Sequence, residues 1–304
     1  MTDQFLVADA YLVHIAQVIS QTAGVLGKSD AEKDYAAKHK TLRKAFQTEY
    51  LAPSGRLSSD TQTAYCLAFQ FDLLDERHIP GAGERLIRLA RKEKFRIGTG
   101  FAGTPGILGA LTKAGHLQVA YRMLQEKGCP SWLYPVTMGA TTIWERWDSL
   151  LPNGEINVSL AMRVAASSSL RQPGEMTSFN HYALGAVASW LHTTVAGLKA
   201  LEPGYKKIEI RPRPGGSLTH AKTHTITPYG RASVAWELKG DRLKVDFEVP
   251  PNTAAVVKLG ETKEEQVGSG KYSREVEWKS EGEWPPAPYT TQFAQVQPQD
   301  TLAL

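Results

Sequence analysis

Cysteine is scarce in this chain: Cys66 and Cys129 are the only two among 304 residues. Their separation fits neither a metal site nor a redox pair, so two buried free thiols are expected and a disulfide has no support. No apolar run approaches the roughly 18 to 20 residues that a bilayer-spanning helix requires, so no membrane contact is expected. An excess of charge is also missing. Lys and Arg number 35 against 31 Asp and Glu, leaving +4, and the basic residues are scattered instead of forming a stripe, which argues against nucleic acid as a partner. The start, Met1-Thr-Asp-Gln-Phe-Leu-Val-Ala-Asp9, has an acid where a signal peptide carries lysine or arginine, and Asp9 and His14 interrupt any apolar core. His14, His39, His78, His116, His192, His220 and His224 show no metal-like spacing, and the loop from Asp148 to Gly154 lacks the oxygen pattern of an EF-hand. No metal and no cofactor are expected.

What is present is an ordinary globular composition, 42% hydrophobic and 22% charged. The first two thirds read as paired helices. Phe5, Leu6, Ala8, Tyr11, Leu12, Ile15, Val18 and Ile19 keep a helical period from Asp3 to Leu26. Gly27 stops that helix, and Ser29 or Asp30 can cap the next, which runs to about Leu51. Asp60 is expected to cap a third helix, Ala82 to Lys94 forms a fourth, and two more follow at about 106–114 and 117–126. Between them, Ile97 to Pro105 is a glycine-rich loop with no Lys-Ser/Thr pair to hold a phosphate, better read as backbone lying close to a pocket floor. Residues 128–171 are irregular, with a short helical stretch expected around Thr141 to Trp147, and Asn180 to Leu201 reads as a helix. A long irregular segment inside a compact domain is usually functional. After Pro203 the pattern alternates in short runs separated by Pro-Tyr-Gly, Lys-Gly-Asp and Pro-Pro-Asn turns, an antiparallel β-sandwich. The expected division is 1–202 helical, 203–284 β-sandwich and 285–304 an extended tail. Helical hairpins followed by a sandwich suggest an α/α toroid, but roughly eight helices are counted where six hairpins need twelve, so the fold class is a partial (α/α)6 barrel with a C-terminal antiparallel β-sandwich.

The segment from Gly139 to Asp148, Gly-Ala-Thr-Thr-Ile-Trp-Glu-Arg-Trp-Asp, holds the densest chemistry. Glu145 stands between Trp144 and Trp147, which fall on one side of a helix or tight turn with Glu145 at its margin. Flat rings beside an ionised carboxylate suit a sugar: the C–H face stacks while the carboxylate orients a hydroxyl or a water. Arg146 next door would favour the charged form. The same residue types equally describe a buried helix end with core tryptophans and a surface ion pair. Glu155 and Glu175 flank the long loop and could line a rim, although loop acids are commonly just solvated. Glu76 reads as a solvated charge at a helix end.

The ordered set Thr99-Gly-Phe-Ala-Gly-Thr104, Ala120-Tyr-Arg-Met-Leu124, Pro130-Ser-Trp-Leu-Tyr-Pro135, Gly139 to Asp148 and Ser178-Phe-Asn-His-Tyr-Ala183 resembles the α-L-rhamnosidases of glycoside hydrolase family 78, over almost the whole chain. The resemblance implies inverting hydrolysis of terminal α-L-rhamnose, with Glu145 as general base, His181 as a sugar contact, and Trp144 and Trp147 shaping the pocket. It also implies an upstream motif carrying the general acid. No such motif is found here; Asp75-Glu-Arg-His78 lacks its flanking Arg and Trp. The expectation is therefore a truncated form with the base but without the acid, weakly active and poorly soluble alone. Its partners would be a rhamnosylated small molecule or oligosaccharide and a complementing N-terminal fragment. The alternatives are a non-catalytic rhamnose-binding fragment or subunit, and a toroidal glycosidase for another sugar. Location stays open: cytoplasmic as written, with any signal peptide lying ahead of Met1.

Overall fold

The computed structural model describes residues 2–157 and 177–289. Three antiparallel helical hairpins come first: α1 (Gln4–Val25) with α2 (Ser29–Tyr50), α3 (Gln62–Gln70) with α4 (Ile79–Lys92), and α5 (Ile107–Lys113) with α6 (Leu117–Leu124). Helix α3 packs between α1 and α5, so the first helices of the hairpins form one layer of an arc. Its sequence explains that position, since Gln62 to Phe69 are all buried and the helix has no charged residue. Asp3 caps α1 by accepting from the Phe5 N–H (2.7 Å), and Gly27, at φ +67°, ends it. The cap of α3 is Thr61, whose hydroxyl accepts from the Ala64 N–H (3.3 Å). Asp60, expected there, lies one residue upstream and instead accepts from the Tyr65 hydroxyl (2.9 Å) and pairs with Arg85. Pro80 sits in the first turn of α4 and leaves it unbroken, because a helix start has no N–H to lose there.

Two other local expectations need correction. Thr141 to Trp147 is not helical; the short helix is α7 (Leu133–Thr137), and Gly139 (φ +82°) turns the chain out of it into an irregular run of bends. The expected helix from Asn180 to Leu201 is a 3-10 turn (Ala183–Ala186), an α turn (Val187–Trp190) and a π turn (Leu191–Val195). It stops before Gly197, and Leu198–Ala200 is already strand β1. Gly197 (φ +83°) lies so close to Pro212 that an added Cβ would sit 2.1 Å from its nitrogen, which leaves no room for continued helix.

The remaining strands are β2 (Lys207–Ile210), β3 (His220–Thr227), β4 (Gly230–Lys239), β5 (Arg242–Val249), β6 (Ala254–Val257), β7 (Glu265–Val267) and β8 (Gly270–Glu277). They form two sheets, ordered β1-β2-β6-β7 and β3-β4-β5-β8. All pairings are antiparallel except β2 with β6. Alternate residues on β4 (Ala232, Val234, Trp236) and β5 (Leu243, Val245, Phe247) are buried, the period expected of strands with one wet face. One core runs from the helices into the sheets. The Trp236 indole N–H donates to Val195 O (2.8 Å), and the Tyr121 hydroxyl to Arg213 O (2.6 Å).

Candidate active site

The site grows from a short extended pairing that sequence periodicity did not reveal. After Gly139 the chain bends at Thr141–Thr142 and again at Glu145–Arg146, with Ile143 and Trp144 between the bends. It pairs there with Ser178 to His181: Glu145 N–H donates to Ser178 O (2.9 Å), and His181 N–H donates to Ile143 O (2.7 Å). The Thr142 hydroxyl donates to Phe179 O. Two residues far apart in the chain, Glu145 and His181, are thus brought to the same pair of backbone hydrogen bonds.

Glu145 is half-buried. Its Oε2 accepts from the Ser178 N–H (2.9 Å); its other oxygen has no partner among the described residues. Charge-assisted bonds of this kind fix a carboxylate's rotamer. Immediately after it, Ser149 donates to Arg146 O (2.9 Å), shares a hydroxyl contact with Thr177 (2.9 Å), and closes the turn that holds Trp147. Arg146 was expected beside Glu145. It turns instead to Asp148 (Nε–Oδ1 3.4 Å), which also accepts from Asn157 (2.6 Å).

The two indoles pack against different aromatic partners. Trp144 is buried, whereas its neighbour Glu145 is half-buried. Trp144 is only 4% exposed and meets Phe179 edge-on at 5.4 Å. Trp147 meets Trp132 edge-on at 5.8 Å. With Ile143, Pro135 and Val136, the three tryptophans line a hollow of about 240 Å³, and neither Glu145 nor His181 is part of that lining.

His181 accepts from the Ala183 N–H through Nδ1 (3.4 Å), which leaves the proton on Nε2. Its ring is stacked on Phe101, 4.9 Å between centroids with planes 6° apart. Sequence reasoning did not select Phe101; the available signal was a large apolar residue inside a glycine-rich, solvent-facing loop. That loop is held by Thr104 N–H to Gly100 O (2.9 Å), by the Thr99–Thr104 hydroxyl pair (2.8 Å), and by the Tyr11 hydroxyl to Ala102 O (3.2 Å). Underneath, the Cys66 thiol donates to Gly103 O (3.0 Å), and burial pushes that thiol up to about 12. Cys129, expected buried, is half-buried. Glu155 is exposed, and Glu175 lies outside the described residues. Among the described residues no group of three or more His, Cys, Asp or Glu is gathered to hold a metal ion, and no helix is long and apolar enough to cross a membrane.

Residues 1–195 match the bacterial alpha-L-rhamnosidase six-hairpin glycosidase domain, and residues 197–274 the bacterial alpha-L-rhamnosidase C-terminal domain. The chain belongs to the bacterial α-L-rhamnosidase family. An alpha-L-rhamnosidase of Streptomyces avermitilis is 39% identical over 84% of this chain and 23% of its own length, and one of Formosa agariphila is 35% identical over 85% and 26%. Among solved structures, the native rhamnosidase of Aspergillus terreus superposes with TM-score 0.82 at 41% identity, covering 90% of this chain and 31% of that one. The S. avermitilis enzyme complexed with L-rhamnose gives 0.80 at 36%, covering 90% and 27%. The chain thus spans about a quarter of the length of the curated rhamnosidases it matches. The partial helical barrel and the sheet domain are those of the rhamnosidase neighbours.

Proposed function

We propose that this chain carries the general-base half of an inverting α-L-rhamnosidase site. Glu145 is the base that deprotonates the attacking water, His181 contacts the sugar, and Trp144 and Trp147 shape the pocket. The observation that carries the reading is the asymmetry of the Glu145 carboxylate. One oxygen is anchored by the Ser178 N–H, while the other is open among the described residues, as a base needs in order to hold a water. The relative solved with L-rhamnose supports that sugar as the ligand. Inversion calls for a second carboxyl about 6.5–9.5 Å away, protonated at working pH, and the family's acid motif is not found in these 304 residues. Turnover by the chain alone is expected to be lower by about 10²–10⁴-fold than with acid assistance.

Release of p-nitrophenol from p-nitrophenyl α-L-rhamnoside tests this: slow turnover that Glu145→Gln abolishes is the expected result, and turnover that survives the substitution contradicts it. A second reading, a rhamnose-binding chain without turnover, is favoured by the missing acid motif. Calorimetry separates the two, since binding of L-rhamnose with no hydrolysis supports the second.

A further inference from the structure

A pyranose needs a flat apolar surface for its C–H face, and the exposed ring beside His181 that could provide one is not a tryptophan. Trp144 is 4% exposed, and Trp147 is packed edge-on against Trp132. Tyr182 is 86% exposed, so its ring has little packing to hold it in place. Phe101 combines the two properties that a platform requires. It is 48% exposed, yet it is positioned by the hydrogen-bonded loop at Thr99–Thr104 and by its parallel contact with His181. A phenyl ring half in water on a glycine-rich loop costs hydrophobic free energy, which a ligand covering the exposed part would recover.

We propose that Phe101 is the stacking surface for the sugar and also the positioning residue of His181, so that the imidazole Nε2–H and the phenyl ring meet the same ligand. The inference rests on the functional reading above and adds to it a residue from a different loop. Two contacts define the imidazole: Ala183 N–H fixes the tautomer and Phe101 fixes the ring plane. The phenyl edge and the uncovered part of its face remain for C–H groups, while Nε2–H is left to donate to a hydroxyl.

The test uses the 304-residue chain and L-rhamnose, with affinity from calorimetry and the His181 ring followed by ¹⁵N–¹H NMR. Phe101→Ala is expected to weaken binding by roughly 3- to 10-fold, the size of an aromatic contact, with Phe101→Tyr restoring it and Tyr182→Ala leaving it unchanged. Loss of the stack should also shift the His181 ring resonances, a change that a remote folding defect would not confine to this ring. Wild-type affinity in Phe101→Ala, with His181→Ala still impaired, overturns this proposal and leaves the functional reading standing. No binding of L-rhamnose by the unaltered chain overturns both.

Discussion

Glu145 and His181 were selected as single candidate residues because their neighbours form a recognisable string. What they touch was not legible in it. Arg146 is adjacent to Glu145 in sequence but pairs with Asp148 across the turn at Trp147 and Asp148. A second case is Tyr50, which no motif marks. Its hydroxyl donates to Asp9 (2.6 Å), and that bond, aided by burial, pushes it up to about 12 from an ordinary 10.0. The folded chain therefore holds a proton that the unfolded chain releases from about pH 10. The stabilisation is complete below pH 10 and is lost as pH rises through about 12. Tyr50→Phe should lower stability by about 1 kcal/mol at pH 8 and then fall less steeply than wild type between pH 10 and 12. Thermal melts across that range check it, and parallel curves would contradict the linkage.

Among elements, the helices with strong periodicity, α1 through α6, are found within a few residues of their sequence positions. The failures share a cause. At Thr141 to Trp147 and Asn180 to Leu201, distant segments decide the backbone: Ser178 to His181 in the first case, Pro212 beside Gly197 in the second. Helix α1 is a different lesson, since it is apolar on two sides. Leu6, Ala10 and Val13 are buried, while Phe5, Leu12, Ile15 and Val18 stay exposed. The entry to α3 depends on a buried polar cluster. The Tyr65 hydroxyl donates to Asp60 (2.9 Å) and accepts from the Leu57 N–H (3.1 Å). Burial pushes Asp60 upward, but the bonds from Arg85 and Tyr65 outweigh it and hold the carboxyl below its usual range. Tyr65→Phe leaves the buried Leu57 N–H unpartnered and should cost about 1–3 kcal/mol, read as a lower urea midpoint with unchanged slope. A midpoint equal to wild type would show the cluster to be dispensable.

For the molecule as a whole, the helices and sheets share one core, and Gly215 lies against Tyr121 so tightly that an added Cβ would come within 2.5 Å of the ring. Trp190 also donates to Thr112 (3.0 Å) across the same region. Such a joint should make the chain unfold as one unit, seen as a single calorimetric transition that Gly215→Ala moves downward without splitting. Two resolved transitions in the wild type would refute it. Helix positions, strand alternation, the absence of a charged stripe and the family string all follow from local spacing, because periodicity and turn chemistry act over a few residues. Which oxygen of Glu145 is anchored, the edge-on meeting of Trp144 with Phe179, and the arrival of Phe101 on His181 depend on contacts between segments dozens of residues apart. Spacing along a chain carries no record of such contacts; packing and hydrogen-bond satisfaction settle them only once the chain has closed on itself.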